Sequence, residues 1–189
     1  RKLATVSKET VKLDGNGNLQ IKVTKDAEGK YFVGQASTDG LYLTKYGYFE
    51  CKVKLNQSIG PHVAFWLQSN TMGIENNDPQ KNGTEIDIFE YHRKKPTRIF
   101  HNLHWNGYGA AHMTIGTTNE ISGIGSGYHT FGLEWKENIY IFYVDGKETW
   151  RTSAAVSQTE QYLILSTELT GFGGDPELGT FPDAVTFDY

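Results

Sequence analysis

Short runs of alternating apolar and polar residues, set off by tight-turn residues, constrain this chain more than any other feature. Residues 19–24 alternate as Leu-Gln-Ile-Lys-Val-Thr directly after the turn Asp14-Gly15-Asn16-Gly17, and residues 48–55 alternate again. A two-residue period fits a half-buried strand with one face on the core and one in water. Residues 63–67 are continuously apolar, which predicts a strand buried on both faces. Further runs lie at 84–91, 98–105, 129–135, 140–144, 162–167 and 185–189. Asp145-Gly146, between Tyr143-Val144 and Lys147-Glu148, is a two-residue hairpin signal. No segment carries a 3.6-residue period beyond a turn or two at 154–158. The pattern predicts an all-β fold of two packed antiparallel sheets, with stretches 69–83 and 107–127, rich in Gly, Asn, Ser and Thr, as long loops.

The chain has 189 residues, 38% hydrophobic and 13% aromatic, enough for one sizeable core. Residues 1–189 are therefore expected to form a single domain. It opens abruptly at Arg1 and stops at Tyr189 within a strand-like run, as a trimmed or mature fragment would, with any export signal outside it. Eighteen Lys and Arg against twenty-two Asp and Glu give a net charge of −4, which argues against a nucleic-acid partner. The single cysteine, Cys51, excludes an internal disulfide and a Cys-rich metal site. No apolar run approaches the roughly 18–20 residues that span a bilayer, so no membrane partner is expected.

The stretch Gly83-Thr84-Glu85-Ile86-Asp87-Ile88-Phe89-Glu90-Tyr91 sets three carboxylates into an otherwise apolar strand. Glu85 and Asp87, two apart, share a face. Glu90 would point the other way unless one extra residue, a β-bulge near Ile88-Phe89, returns it to the acidic face. Ile86 and one of Ile88 or Phe89 would then fill the core. A lone Glu in a strand is ordinarily solvent-facing. Three like charges on one face repel, and some of their pKa values must rise. Carboxylates also bind Ca²⁺, but a calcium loop is Gly-bent rather than β-rich. Two carboxyl groups about 5–5.5 Å apart suit retaining glycoside hydrolysis, in which one attacks the anomeric carbon and the other protonates the leaving oxygen.

Glu85-Ile86-Asp87-Ile88-Phe89-Glu90 resembles the Glu-x-Asp-x-x-Glu signature of glycoside hydrolase family 16. The likeness continues in family order. It takes in Tyr46 to Leu55, Ala64-Phe65-Trp66-Leu67, Tyr128 to Trp135, Phe142-Tyr143-Val144-Asp145-Gly146, and Phe181-Pro182-Asp183 to Phe187-Asp188-Tyr189. The resemblance implies a concanavalin A-like β-jelly-roll sandwich of two curved antiparallel sheets, and endo-acting, retaining hydrolysis of a β-linked polysaccharide. By position, Glu85 is similar to the family's nucleophile, Asp87 to its assisting acid and Glu90 to its acid/base. The six-residue motif resembles the branch of laminarinases, agarases and carrageenases. A β-1,3-glucan is the first expected substrate, and an agar-, porphyran- or carrageenan-type galactan the alternative. A lectin-like carbohydrate-binding module and a structural sandwich domain are the non-enzymatic alternatives. No cofactor is implied, although Asp188 resembles a ligand of a structural calcium on the convex face. A monomer that is secreted, periplasmic or at the cell surface of a bacterium is expected.

Five residues are candidates for binding substrate. Trp66 offers a stacking platform, with core packing as its other role. His62 stands where the family often has a Trp, and suits a hydrogen bond to a sugar hydroxyl. Alternation in His101-Asn102-Leu103-His104-Trp105 puts Asn102 and His104 on one face, and His104 resembles a family histidine beside the acids. His101 and His104 fall on opposite faces, a poor zinc pair. Trp105, with Tyr108 in the next loop, is a candidate to stack substrate at one end. Glu168 is placed facing the cleft from another strand. Trp135 and Trp150 are assigned to packing, and Arg93-Lys94-Lys95 to a solvated turn.

Overall fold

The computed structural model describes residues 2–189. In chain order its strands are β1 (Thr5–Val6), β2 (Val11–Leu13), β3 (Leu19–Lys25), β4 (Tyr31–Val33), β5 (Gln35–Ser37), β6 (Gly47–Lys54), β7 (Gly60–Gln68) and β8 (Glu85–His92). They continue as β9 (Arg98–Trp105), β10 (Met113–Glu120), β11 (Tyr128–Lys136), β12 (Ile139–Val144), β13 (Lys147–Thr152), β14 (Tyr162–Gly173) and β15 (Asp183–Phe187). The one α-helix among the described residues is a single turn, α1 (Pro79–Asn82).

The strands form two sheets. The outer sheet runs β1-β4-β3-β15-β6-β11-β12-β13, with β2 also on β3, and the inner sheet runs β10-β9-β8-β7-β14-β5. Every pairing is antiparallel except the short β1–β4 contact. This is the expected jelly-roll sandwich. Alternation drives it: Ile21, Val53, Leu133 and Phe142 point inward from the outer sheet to meet Leu67, Ile86, Phe89 and Leu103 from the inner sheet, all fully buried. Phe89 stacks on Phe131 across the gap, ring centroids 4.0 Å apart. Trp135 is buried with its indole N–H donated to the Ser157 carbonyl, and Trp150 packs against the same core. The Asp145-Gly146 turn has positive φ at both residues (50° and 71°), as a type I′ hairpin requires.

Several expectations are corrected. β7 is not buried on both faces, because His62 and Trp66 are half-buried on its outward side. Stretch 107–127 is not all loop: β10 pairs with β9 in register over eight residues. It is an edge strand, mostly exposed, so backbone pairing holds it and no apolar period marks it. Residues 154–158 form no helix. The short β1, β2, β4 and β5 carry too few residues for a readable period.

Candidate active site

β8 lies between β9 and β7 and carries the three acids on the outward face of the inner sheet. The bulge is where the spacing requires it. On one side Phe65 pairs with Phe89 and the next residue, Trp66, with Asp87, leaving Ile88 as the extra residue. On the other side Asp87 pairs with Asn102 and Glu90 with Phe100. Ile88 and Phe89 are both fully buried, so both fill the core, where one was expected. A bulge takes a carbonyl out of the ladder. That of Ile88 lies 2.6 Å from His101 Nδ1, and His101 Nε2 lies 2.9 Å from Thr149 Oγ1 on β13 of the outer sheet. A carbonyl can only accept, so Nδ1 carries the proton. Burial pushes the His101 pKa down to about 4, so the ring is neutral and Nε2 accepts the Thr149 hydroxyl.

The acids open into a groove of about 310 Å³ lined by His62, Ala64 and Trp66 of β7, Glu85, Asp87 and Glu90 of β8, Ser166 and Glu168 of β14, and Tyr108. Glu85 accepts from the Tyr108 hydroxyl and, at 2.8 Å, from the Gln68 amide, which also reaches the Tyr108 oxygen at 2.7 Å. Glu90 is held on both sides. Asn102 donates to Oε2, and His62 Nε2 stands 2.7 Å from Oε1. The Oε1 atom lies off the N–H axis of the ring, so this is an ion-pair contact and not a straight hydrogen bond. Asn102 fits because its partner across β10 is Gly116, where a Cβ would come 2.0 Å from Asn102 Oδ1. His104 Nε2 lies 3.4 Å from Asp87 Oδ2, and its Nδ1 lies 2.9 Å from His112 Nε2.

These surroundings separate the acids. Burial first, then the charges of Glu90, Glu85 and Glu168, raise Asp87 well above the usual carboxylate range, so it stays protonated and can donate. Burial is also the largest influence on Glu90 and pushes it up. The His62 contact, the Asn102 hydrogen bond and the His104 charge together outweigh it and hold Glu90 below its ordinary value. Burial lowers His104, and burial with the adjoining Glu85 raises the Tyr108 phenol. The site therefore combines a neutral acid between two others with one carboxyl held in its ionised form, beside donors and an aromatic wall.

Of the expected substrate-binding residues, His62, Trp66 and Glu168 line the groove, and His104 stands at its side against Asp87. Trp66 donates its indole N–H to Ser166 Oγ at 3.1 Å, which fixes the ring plane. Trp105 does not belong with them: it lies on the inward face of β9 with Leu103 and packs against the core. Its position in the alternation forces this. Gln68, Asn102 and Ser166 went unrecognised as site residues, although Gln68 and Asn102 follow from the same alternation that places Trp66 and His104. His112 and the hydroxyl role of Tyr108 come from the loop before β10, which has no readable period. Glu85, Asp87 and His104 bring donor atoms within 4.8 Å of one another, but these atoms serve the hydrogen-bonding and charge pattern above and we assign them no ion. The Asp188 carboxylate lies 2.5 Å from the Lys52 ammonium.

Comparison with known proteins gives the family and the fold likeness of the chain. The profile of glycosyl hydrolases family 16 matches residues 2–171. A beta-glucanase of Acetivibrio thermocellus is 28% identical over 170 residues, which cover 88% of this chain and 46% of that protein. The chain thus spans less than half the length of that relative. The laminarinase catalytic domain of Thermotoga maritima superposes with a TM-score of 0.82 at 28% identity, covering 98% of this chain and 80% of that one. Porphyranase B of Zobellia galactanivorans superposes equally well, TM-score 0.82, at 21% identity over 100% of this chain and 79% of that one, a likeness of fold.

Proposed function

The chain belongs to glycosyl hydrolase family 16, and from that membership we propose that it is an endo-acting, retaining glycosidase whose substrate is a β-1,3-linked glucan. One observation carries the proposal: the bulge at Ile88 brings Glu85, Asp87 and Glu90 to the same open groove. In the proposed reaction a Glu85 oxygen bonds to the anomeric carbon as the bond to the leaving sugar breaks. The leaving oxygen takes a proton from Glu90. Water then attacks the same carbon, gives a proton back to Glu90 and releases Glu85. Asp87, neutral, donates to the charge on Glu85 and steadies it as a leaving group. Trp66 offers its face to a sugar ring. Both steps use side chains alone, so no cofactor is needed.

The choice of glucan is supported by relatives described as a beta-glucanase and a laminarinase. A polymer of this kind cannot cross a membrane, which supports action outside the cytoplasm.

New reducing ends, assayed on laminarin, lichenan, agarose, porphyran and carrageenan, test the proposal. Turnover of laminarin by the wild type, lost in Glu85→Gln, is expected. Turnover confined to a galactan overturns the substrate. Binding without turnover overturns the enzyme.

A further inference from the structure

We propose that His62 is a positioning residue for proton transfer, sharing with Glu90 the one proton that passes to the leaving sugar. This rests on Glu90 being the acid/base, as above.

The two side chains are 13% and 12% exposed and 2.7 Å apart at Nε2 and Oε1. The Phe172 ring stands at a right angle to that of His62, centroids 5.1 Å apart, and packs on the neighbouring His92 at 4.6 Å. Phe172 is carried in Gly171-Phe172-Gly173-Gly174 at the end of β14. Asn102 occupies the second Glu90 oxygen. Asparagine supplies an N–H that it never releases, so among these partners only His62 can accept or return a proton at Glu90.

The arrangement answers a difficulty in the proposed reaction. A general acid must hold a proton, yet the partners of Glu90 favour its ionised form. If the proton rests on His62 while the groove is empty, Glu90 is a carboxylate and the pair still holds one proton. When the glycosidic oxygen arrives, the His62 ring turns to bring Nε2–H into line with Glu90 Oε1, and the proton moves to Oε1 and on to the glycosidic oxygen as the C–O bond breaks. His62 ends neutral and Glu90 ionised. The proton of the attacking water later restores the pair, so the cycle balances.

Other groups facing the pair set its background. Glu85 and Asp87 face Glu90 from its own strand, His104 from β9 and Glu168 from β14. His62 is in register with His92 on β8 and Glu168 on β14, with Lys94 and Lys95 in the turn beyond His92. Burial and the neighbouring acids raise Asp87 well above the usual carboxylate range, which favours its neutral form. Burial, the larger influence, and then His62, Lys95 and Lys94 hold His92 down to about 4, so it is neutral as well.

Two coupled groups lose their last proton later than either acid alone would. The alkaline limb of kcat/KM on laminarin should therefore fall by about one pH unit in His62→Gln, with the acid limb in place. A loss of equal size at every pH, or a limb that stays put, overturns the proposal. A dinitrophenyl glycoside, whose leaving group needs no proton, should lose far less in His62→Gln than laminarin does; an equal loss on the two substrates means that His62 only shapes the groove. The ¹³C titration of the Glu90 carboxyl should move to higher pH in His62→Gln, since the partner that keeps it ionised is gone. An unmoved midpoint overturns the proposal even if the wild type hydrolyses none of the polysaccharides, in which case the proposed function has failed separately. Should His62→Gln not fold, His62→Asn carries the same measurements.

Discussion

Asp87 shows how one side chain takes its role from its surroundings. Buried between two other acids and near Glu168, it is neutral where an exposed aspartate would be charged. A neutral donor of similar shape should replace it. Asp87→Asn is expected to keep much more kcat on laminarin than Asp87→Ala, and equal losses would show that its charge matters after all. Tyr108 gives a second test. Its hydroxyl reaches Glu85 from a loop, backed by Gln68. Tyr108→Phe should lower kcat/KM about tenfold, the worth of one hydrogen bond to a charged group, with Gln68 holding the remainder. At this scale the sequence is partly legible. Alternation along a strand places Trp66, His104 and Glu90 once the bulge is assumed, and it places Trp105 away from them. It is silent on Tyr108, which reaches Glu85 from a loop, on His112, which reaches His104 from the same loop, and on Gly116, whose missing Cβ makes room for Asn102.

The bulged strand β8 is the element on which the site depends. Its extra residue was legible because Glu85 and Glu90 are five apart, an odd spacing that a regular strand would split between two faces. Its support was not: nothing in the spacing shows that His101 reaches through the core to take the Ile88 carbonyl and to bind Thr149 of the other sheet. Losing that donor leaves a buried carbonyl unpaired. His101→Leu should cost about 1–3 kcal/mol in urea unfolding, and should lower kcat even where the protein is fully folded. A variant as stable and as active as the wild type would separate His101 from the bulge. β10 marks the opposite limit, since an exposed edge strand needs backbone partners and no particular side chains, and so leaves no period to read.

The whole molecule carries buried ionisable groups whose effects on stability oppose one another. His101 and His92 titrate at about 4 when folded and near 6.5 when unfolded, held down first by burial. Between those values the unfolded chain binds the extra protons, so stability falls as pH drops from 6.5 to 4, by roughly 3 kcal/mol for His101 alone. Asp87 acts in the other sense. Its folded pKa is raised, so the folded state binds the extra proton and stability falls as pH rises above the unfolded value of 3.8. Removing that opposing group should steepen the gain. Urea midpoints at pH 4, 5 and 6.5 are expected to rise more in Asp87→Asn than in the wild type, and parallel slopes would refute the opposition. The extra residue at Ile88 also has a consequence in heredity. Point mutation can exchange its side chain but cannot alter the count between Glu85 and Glu90. Removal of that single codon would give a regular strand with the outer acids four apart, again on one side. The two versions are joined by a one-triplet deletion or insertion, with no graded series between them.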